Sequence, residues 1–114
     1  MFAQSLLFVT RRWARDGGVG AHVIASAAAL AAHGVRVDVF AARIEFDEDI
    51  PGVTLHERSA LFDADAPMYK RLGETLAHPI DAVHVHQLDD PDIVRSLRST
   101  APVVVSAHGY TACT

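Results

Sequence analysis

A glycine-rich turn near the start of the chain constrains its fold more than any other feature. Residues 16–21, with the sequence DGGVGA, separate a short apolar run at residues 5–10 from a long one at residues 19–33. This order predicts a strand, a tight turn and a helix. Glycines in such a turn let backbone N–H groups approach an anion, and the helix start adds unpaired N–H groups and a partial positive charge. The turn therefore predicts a phosphate site, with a plain strand-to-helix connection as the alternative.

The other apolar segments predict a parallel α/β sheet. Further strands are expected at residues 35–40, 53–55, 82–86 and 103–105, and further helices from Pro67 and from Pro91. These strands are largely continuous apolar runs, which is typical of strands buried on both faces of a parallel sheet. The order β-α-β-β-α-β-α-β predicts an open, doubly wound, Rossmann-like parallel sheet with strand order 3-2-1-4-5.

The segments after the first two strands are predicted to be loops. Residues 11–16 are polar but contain Trp13, which we interpret as a partly buried anchor, with a flat surface at a pocket mouth as the alternative. Residues 41–52 carry a cluster of acidic side chains, Glu45, Asp47, Glu48 and Asp49. Because these lie almost consecutively and lack the spacing of a metal-ligand set, they predict a solvated loop.

The predicted strand order brings three distant features to one edge of the sheet. In an open α/β sheet, ligands bind beyond the carboxyl ends of the strands, where the strand order reverses. Here that point lies between the first and fourth strands. The glycine-rich turn, His86 at the end of the fourth strand and His108 after the fifth all meet there. We therefore take this edge of the sheet as the candidate site.

Composition argues against several classes of protein. The ten Lys and Arg residues are scattered and the formal net charge is −4, so a nucleic-acid-binding protein is not indicated. The single cysteine cannot form an internal disulfide, which fits a reducing compartment. No apolar run reaches the length of a membrane span, and the start lacks the features of a signal peptide. We therefore expect a cytoplasmic protein.

The last predicted strand, at residues 103–105, is followed by a short tail. No helix is predicted to cover this strand, and its outer edge would stay unpaired, which folded proteins usually avoid. We therefore expect residues 1–114 to be the front part of a longer protein.

Taken together, the motifs resemble the N-terminal half of GT-B glycosyltransferases, specifically glycosyltransferase family 4. The resemblance rests on the glycine-rich turn with His22, the alanine-rich helix that ends at Gly34, and two strand motifs, DAVHVH at residues 81–86 and PVVVSAHG at residues 102–109. It covers almost the whole chain. It implies a truncated GT-B fold, in which residues 1–114 form part of the acceptor-side Rossmann-like domain and the C-terminal donor domain is absent.

The resemblance also implies a function: retaining transfer of a sugar from a nucleotide-sugar donor to an acceptor, generally without a metal ion or other cofactor. The glycine-rich loop of the family lies near the donor diphosphate, which matches Gly17, Gly18 and Gly20. The histidine that ends the fifth strand is often essential, which matches His108, although Gly109 stands where an aspartate commonly follows. The chain alone is expected to be inactive, because the nucleotide-gripping residues belong to the missing domain.

On the acceptor side, His86 is predicted to lie near the acceptor. Arg11, Arg12 and Lys70 are candidates for binding an anionic acceptor. Several large apolar side chains occur within residues 59–70, where contact with a membrane surface stays open and core packing is the simpler interpretation.

A nicotinamide-dinucleotide oxidoreductase is the nearest alternative. Its fingerprint is G-x-G-x-x-G with an acidic residue further along. Gly18 and Gly20 fit this spacing, but Val23 stands at the third glycine position and Asp38 lies inside the second strand rather than at its end. The match to this class is therefore incomplete.

Two further alternatives belong to other classes. A metal hydrolase could use His84, His86 and His108 as zinc ligands, because residues two apart on a strand point to one face. A hydrogen-bonded core position is the simpler interpretation of His84. A non-enzymatic ligand-binding module could use the same fold, since fold alone does not determine function.

Overall fold

The computed structural model describes residues 4–15, 18–63, 65–67, 71, 79–86, 91–98 and 101–105 of the chain. Its strands are β1 (Ser5–Trp13), β2 (Arg36–Ile44), β3 (Val53–Glu57), β4 (Ala82–Val85) and β5 (Val103–Val105). Its helices are α1 (Gly18–Ala32) and α2 (Pro91–Arg98), with a 3-10 turn at Ser59–Phe62. Most of the helix predicted from Pro67, and the site residues Gly17, Lys70 and His108, lie outside the described residues.

The strands form a parallel sheet in the order β3-β2-β1-β4-β5. β1 lies at its centre, with Leu7 paired to Asp38 of β2 on one side and to Val83 of β4 on the other. The predicted Rossmann-like α/β class is confirmed, as is the parallel arrangement 3-2-1-4 of the first four strands. The order reverses between β1 and β4, so the candidate site lies at the carboxyl ends of these two strands.

Alternate side chains of the strands build a core on each face of the sheet. The α1-face cluster is the set of buried apolar residues beneath α1: Phe8, Trp13, Val23, Ile24, Ala27, Val37, Val39 and Ala41. The opposite-face cluster comprises Leu7, Val9, Phe40, Leu61, Val83, Val85, Ile93, Leu97 and Ala101. The central strands are thus buried on both faces, which explains their continuous apolar sequence.

α1 is the alanine-rich helix that the sequence predicts. His22 on this helix and His33, which directly follows it, are exposed. Gly34 follows its end with a φ of +89° and donates its N–H to the Ala31 carbonyl oxygen at 3.0 Å. Glycine adopts this left-handed conformation without strain, so it terminates the helix. In the described part of the chain, neither helix is long and apolar enough to cross a membrane.

β1 and β2 extend further than predicted. The loops predicted at residues 11–16 and 41–52 therefore begin later in the structure, after Trp13 and after Ile44. Arg12 pairs with Arg43, and Trp13 with Ile44, in the parallel ladder. Trp13 is fully buried in the α1-face cluster, more deeply than a partly buried loop anchor would be. The Glu45 carboxylate accepts two hydrogen bonds from the Arg12 guanidinium, at 2.7 and 3.1 Å. This ion pair offsets the repulsion between two adjacent arginines and lets charged residues continue the strands.

Candidate functional site

The junction between β1 and α1 is held by close packing at Gly20. A Cβ atom added at Gly20 would overlap the backbone carbonyl oxygen of Ala14, which is itself buried. The first turn of α1 therefore lies directly against the segment that follows β1, and only glycine leaves room there. Packing alone therefore explains the glycine at position 20. This agrees with the alternative interpretation of the turn as a plain strand-to-helix connection.

Gly18, at the start of α1, has a different environment. It is exposed, and a Cβ atom added there would meet no described atom within 4 Å. Its φ is not positive, so neither backbone conformation nor packing requires glycine at this position. The first turn of α1 has no acidic side chain, and its first N–H groups have no acceptor within the helix. Among the described residues, nothing fills the space beside Gly18 at the start of α1, and this positively polarised helix end can accept an anion.

His86 lies directly after β4, beside the switch point of the sheet. Its N–H donates to the Val9 carbonyl oxygen of β1 at 2.7 Å, which ties the end of β4 to β1. Its ring is 1 % exposed and lies with its centroid 5.1 Å from that of Phe8 and 4.1 Å from that of His84. The structure thus places His86 at the predicted edge of the sheet, and its role at the acceptor stays a prediction.

His84 occupies a mid-strand position on the same face as His86. It is half-buried, and its ring meets Phe8 edge-on at a centroid distance of 5.3 Å. In the described ranges, no three His, Cys, Asp or Glu side chains are grouped so that they could hold a metal ion. The zinc alternative also involves His108, which lies outside those ranges. The contacts of His84 favour the core interpretation.

A cavity of about 320 Å³ lies beside the loop between β2 and β3. Its wall is apolar at Trp13 and Val53 and acidic at Asp47, Glu48 and Asp49. All three carboxylate residues are exposed, which confirms a solvated loop for the part of residues 41–52 that follows Ile44. Their negative charge would repel a diphosphate. This cavity therefore does not suit the anion site that the sequence predicts.

The two predicted acceptor cations that the structure describes have different partners. Arg12 is engaged by Glu45, with both side chains about 40 % exposed (42 % and 37 %). Arg11 is exposed, and its Cζ atom lies 5.4 Å from the centroid of the Phe62 ring. The positive charge of Arg12 is thus already matched by a carboxylate, whereas Arg11 is held by an aromatic ring.

Two features on the face opposite α1 were not predicted as site residues. Arg58 directly follows β3, and its Cζ atom lies 5.0 Å from the centroid of the Phe40 ring. His56 Nε2 lies 3.0 Å from Asp38 Oδ1, and the Asp38 side chain is 4 % exposed. No motif marks these residues. The available sequence signal is their spacing: Asp38 and Phe40 lie two residues apart, as do His56 and Arg58, so each of these two sets shares one face of the sheet. Because Asp38 is engaged by His56, it is poorly placed to bind a ribose, as a dinucleotide site would require.

The sequence matches the model of a known protein family. The model of Glycosyltransferase Family 4 matches residues 16–112, a span that runs from the glycine-rich turn through both strand motifs. Neither a curated protein nor a solved structure gave a match. The family match covers most of the chain and agrees with the parallel α/β sheet described above. On these grounds the chain belongs to glycosyltransferase family 4.

Proposed function

We propose that the chain is the acceptor-side part of a retaining GT-B glycosyltransferase that moves a sugar from a nucleotide-sugar to an acceptor. Family membership supports the transferase class. In this proposal a second, C-terminal domain grips the nucleotide, so residues 1–114 alone do not complete the reaction. The nucleotide-sugar is a co-substrate, and the proposed reaction uses neither a metal ion nor another cofactor.

The start of α1 is the feature that carries this proposal. Gly20 fixes the first turn against Ala14, while the space beside Gly18 is free of described atoms. Backbone N–H groups at a fixed helix start can stabilise the negative charge that develops on a departing diphosphate. One well-placed donor of this kind contributes about 2.7–4 kcal/mol in the transition state.

The two histidines take different roles in the proposal. His108 positions the reacting sugar by hydrogen bonding, as the family resemblance implies, and His86 serves the acceptor from the end of β4. The tie between His86 and Val9 fixes this position relative to β1 and therefore relative to the start of α1. The three parts of the site would then act across the crevice between β1 and β4.

A transfer assay on the protein that includes the donor domain tests the proposal. The assay supplies a panel of UDP-, GDP- and ADP-sugars together with neutral and anionic acceptors that can receive the sugar, and it measures release of the nucleoside diphosphate. We expect Gly18→Val to lower kcat by about a hundredfold, because its side chain fills the approach to the N–H groups. His108→Ala should lower kcat by a similar factor while the fold survives.

Ala29→Val is the matched control, because Ala29 is exposed on the same helix and lies far from its start. If Gly18→Val and Ala29→Val are equally active, the diphosphate site does not lie at the start of α1. If no donor in the panel is consumed, the glycosyltransferase proposal itself is contradicted.

A further inference from the structure

Arg11 and Arg58 lie in one row at the carboxyl edge of the sheet. The register pairs Thr10 of β1 with Ala41 of β2, and the Arg58 N–H continues it by donating to the Ala41 carbonyl oxygen at 2.7 Å. Residues 11, 42 and 58 are therefore neighbours across β1, β2 and the end of β3. Two strand spacings separate the arginine Cα atoms by about 10 Å. The residue between them is Ala42, whose small side chain leaves space for a ligand.

Aromatic rings hold both guanidinium groups on the face opposite α1. The Arg11 Cζ atom lies 5.4 Å from the centroid of the Phe62 ring, and the Arg58 Cζ atom lies 5.0 Å from that of Phe40. Both rings pack in or against the opposite-face cluster. These distances fall within the range of cation–π contacts. A guanidinium stacked on a ring keeps the N–H groups at its edge available to a second partner, so each arginine is oriented yet still able to bind.

The two arginines also differ from Arg12 in charge balance. Arg12 is bound by Glu45, whereas neither Arg11 nor Arg58 contacts a carboxylate in the part of the chain that the structure describes. The carboxylate of Glu57 accepts a hydrogen bond from a β2 backbone N–H at 3.3 Å. That of Asp63, next to Phe62, accepts one from a backbone N–H at 3.0 Å. Both carboxylates keep their negative charge, but each is hydrogen-bonded to a backbone N–H and neither forms an ion pair with Arg11 or Arg58 among the described residues.

We propose that Arg11 and Arg58 together bind an oxyanion, a phosphate or a carboxylate, carried by the acceptor substrate. This inference rests on the proposed transferase function and deepens it by assigning the acceptor to the anionic class. A planar guanidinium group can donate two parallel hydrogen bonds to two oxygens of a phosphate or carboxylate. Arg11 is one of the three cations predicted from the sequence to bind an anionic acceptor, and Arg58 is added to it here, whereas Arg12 is paired with Glu45. The two-arginine site lies at the carboxyl edge of the sheet, with Arg11 on β1, the strand that borders the point where the strand order reverses.

An NMR titration of the isotope-labelled chain tests the two-arginine site without any sugar donor. Inorganic phosphate and, separately, acetate are added at constant ionic strength while the arginine Nε–H signals are followed. We expect saturable shifts of Arg11 and Arg58 with at least one of the two ions, and the tighter ion identifies the group. Arg11→Gln and Arg58→Gln should each weaken that binding by about tenfold or more.

Arg36→Gln is the matched control, because Arg36 is exposed at the amino end of β2. Its loss should leave the affinity unchanged. The site is overturned if the shifts grow linearly with both ions, or if they are as large at Arg36 as at Arg11. It is also overturned if Arg58→Gln keeps its backbone amide spectrum and full affinity.

This titration and the transfer assay fail independently. Sugar transfer without saturable oxyanion binding removes the anionic acceptor and leaves the glycosyltransferase. Saturable binding without transfer from any donor keeps the oxyanion site and removes the glycosyltransferase.

Discussion

The two faces of β2 differ in chemistry although alternate residues of one strand build both. On one face, Val37 and Val39 are fully buried beneath α1. On the other, Asp38 is engaged by His56, and Phe40 lies beneath the guanidinium of Arg58. Asp38 and Phe40 are 3 % and 6 % exposed, so burial is similar on both faces. The difference lies in which groups are buried.

This contrast separates what stabilises the sheet from what the sheet presents to a ligand. Burying a valine or larger apolar side chain contributes about 1.5–3 kcal/mol. The hydrogen-bonded pair of Asp38 and His56 contributes less, because burial of the Asp38 carboxylate costs desolvation free energy and His56 is partly exposed. We therefore expect substitutions on the α1 face to reduce stability most. Substitutions in the row of Arg11 and Arg58 should reduce binding and leave stability nearly unchanged.

The largest effect is expected at Trp13 in the α1-face cluster. Trp13→Ala removes a fully buried indole and should lower the free energy of unfolding by about 3–5 kcal/mol, measured by urea denaturation. Trp13→Phe should cost far less, because the indole Nε1–H is buried and has no hydrogen-bond acceptor among the described residues. Its removal leaves no acceptor unsatisfied. Equal losses for the two variants would show that the indole N–H, rather than ring burial, holds this face.

The next effect tests how α1 is attached to that face. Gly20→Ala places a Cβ atom against the Ala14 carbonyl oxygen, and the backbone shift should cost about 1–3 kcal/mol of unfolding free energy. Gly18→Ala is the matched control, since its Cβ atom meets no described atom, and we expect a change within about 1 kcal/mol, in the stabilising direction. Chemical denaturation of both variants measures the difference. A larger loss of unfolding free energy for Gly18→Ala than for Gly20→Ala would contradict the conclusion that Gly20 is required for packing and Gly18 is not.

Much of the fold could be predicted because its signals are local. Continuous apolar runs indicate buried parallel strands, and the glycine-rich turn and Gly34 mark the two ends of α1. The carboxyl ends of β1 and β2 could not be predicted, because Arg12 and Arg43 look like loop residues in the sequence. In the structure both continue the ladder, and Glu45, a residue outside both strands, binds Arg12 there. Tertiary ion pairing of this kind leaves no periodic pattern.

The candidate site was less predictable than the fold for a related reason. Topology alone places His86 at the carboxyl edge of the sheet beside β1, and the strand pattern was sufficient to expect this. The different environments of Gly18 and Gly20 depend on the path of Ala14, which the sequence does not reveal. Arg58 carries no motif, and its place in a row with Arg11 follows from the register of three strands. Register is set by side-chain packing across the sheet, so single-sequence patterns specify it poorly.

The smallest effect on stability is expected for the pair of Asp38 and His56 on the face of β2 opposite α1. A double-mutant cycle with Asp38→Ala and His56→Ala should give a coupling free energy of about 0.5–1 kcal/mol, because His56 is partly exposed and solvent screens the pair. Asp38→Ala combined with His33→Ala is the control cycle, because His33 is exposed on a different element and should show no coupling. Urea denaturation of the variants provides the values. A coupling free energy well above this range would mean that the polar pair on the face opposite α1 also stabilises the sheet. The separation of stability from binding between the two faces of β2 would then no longer hold.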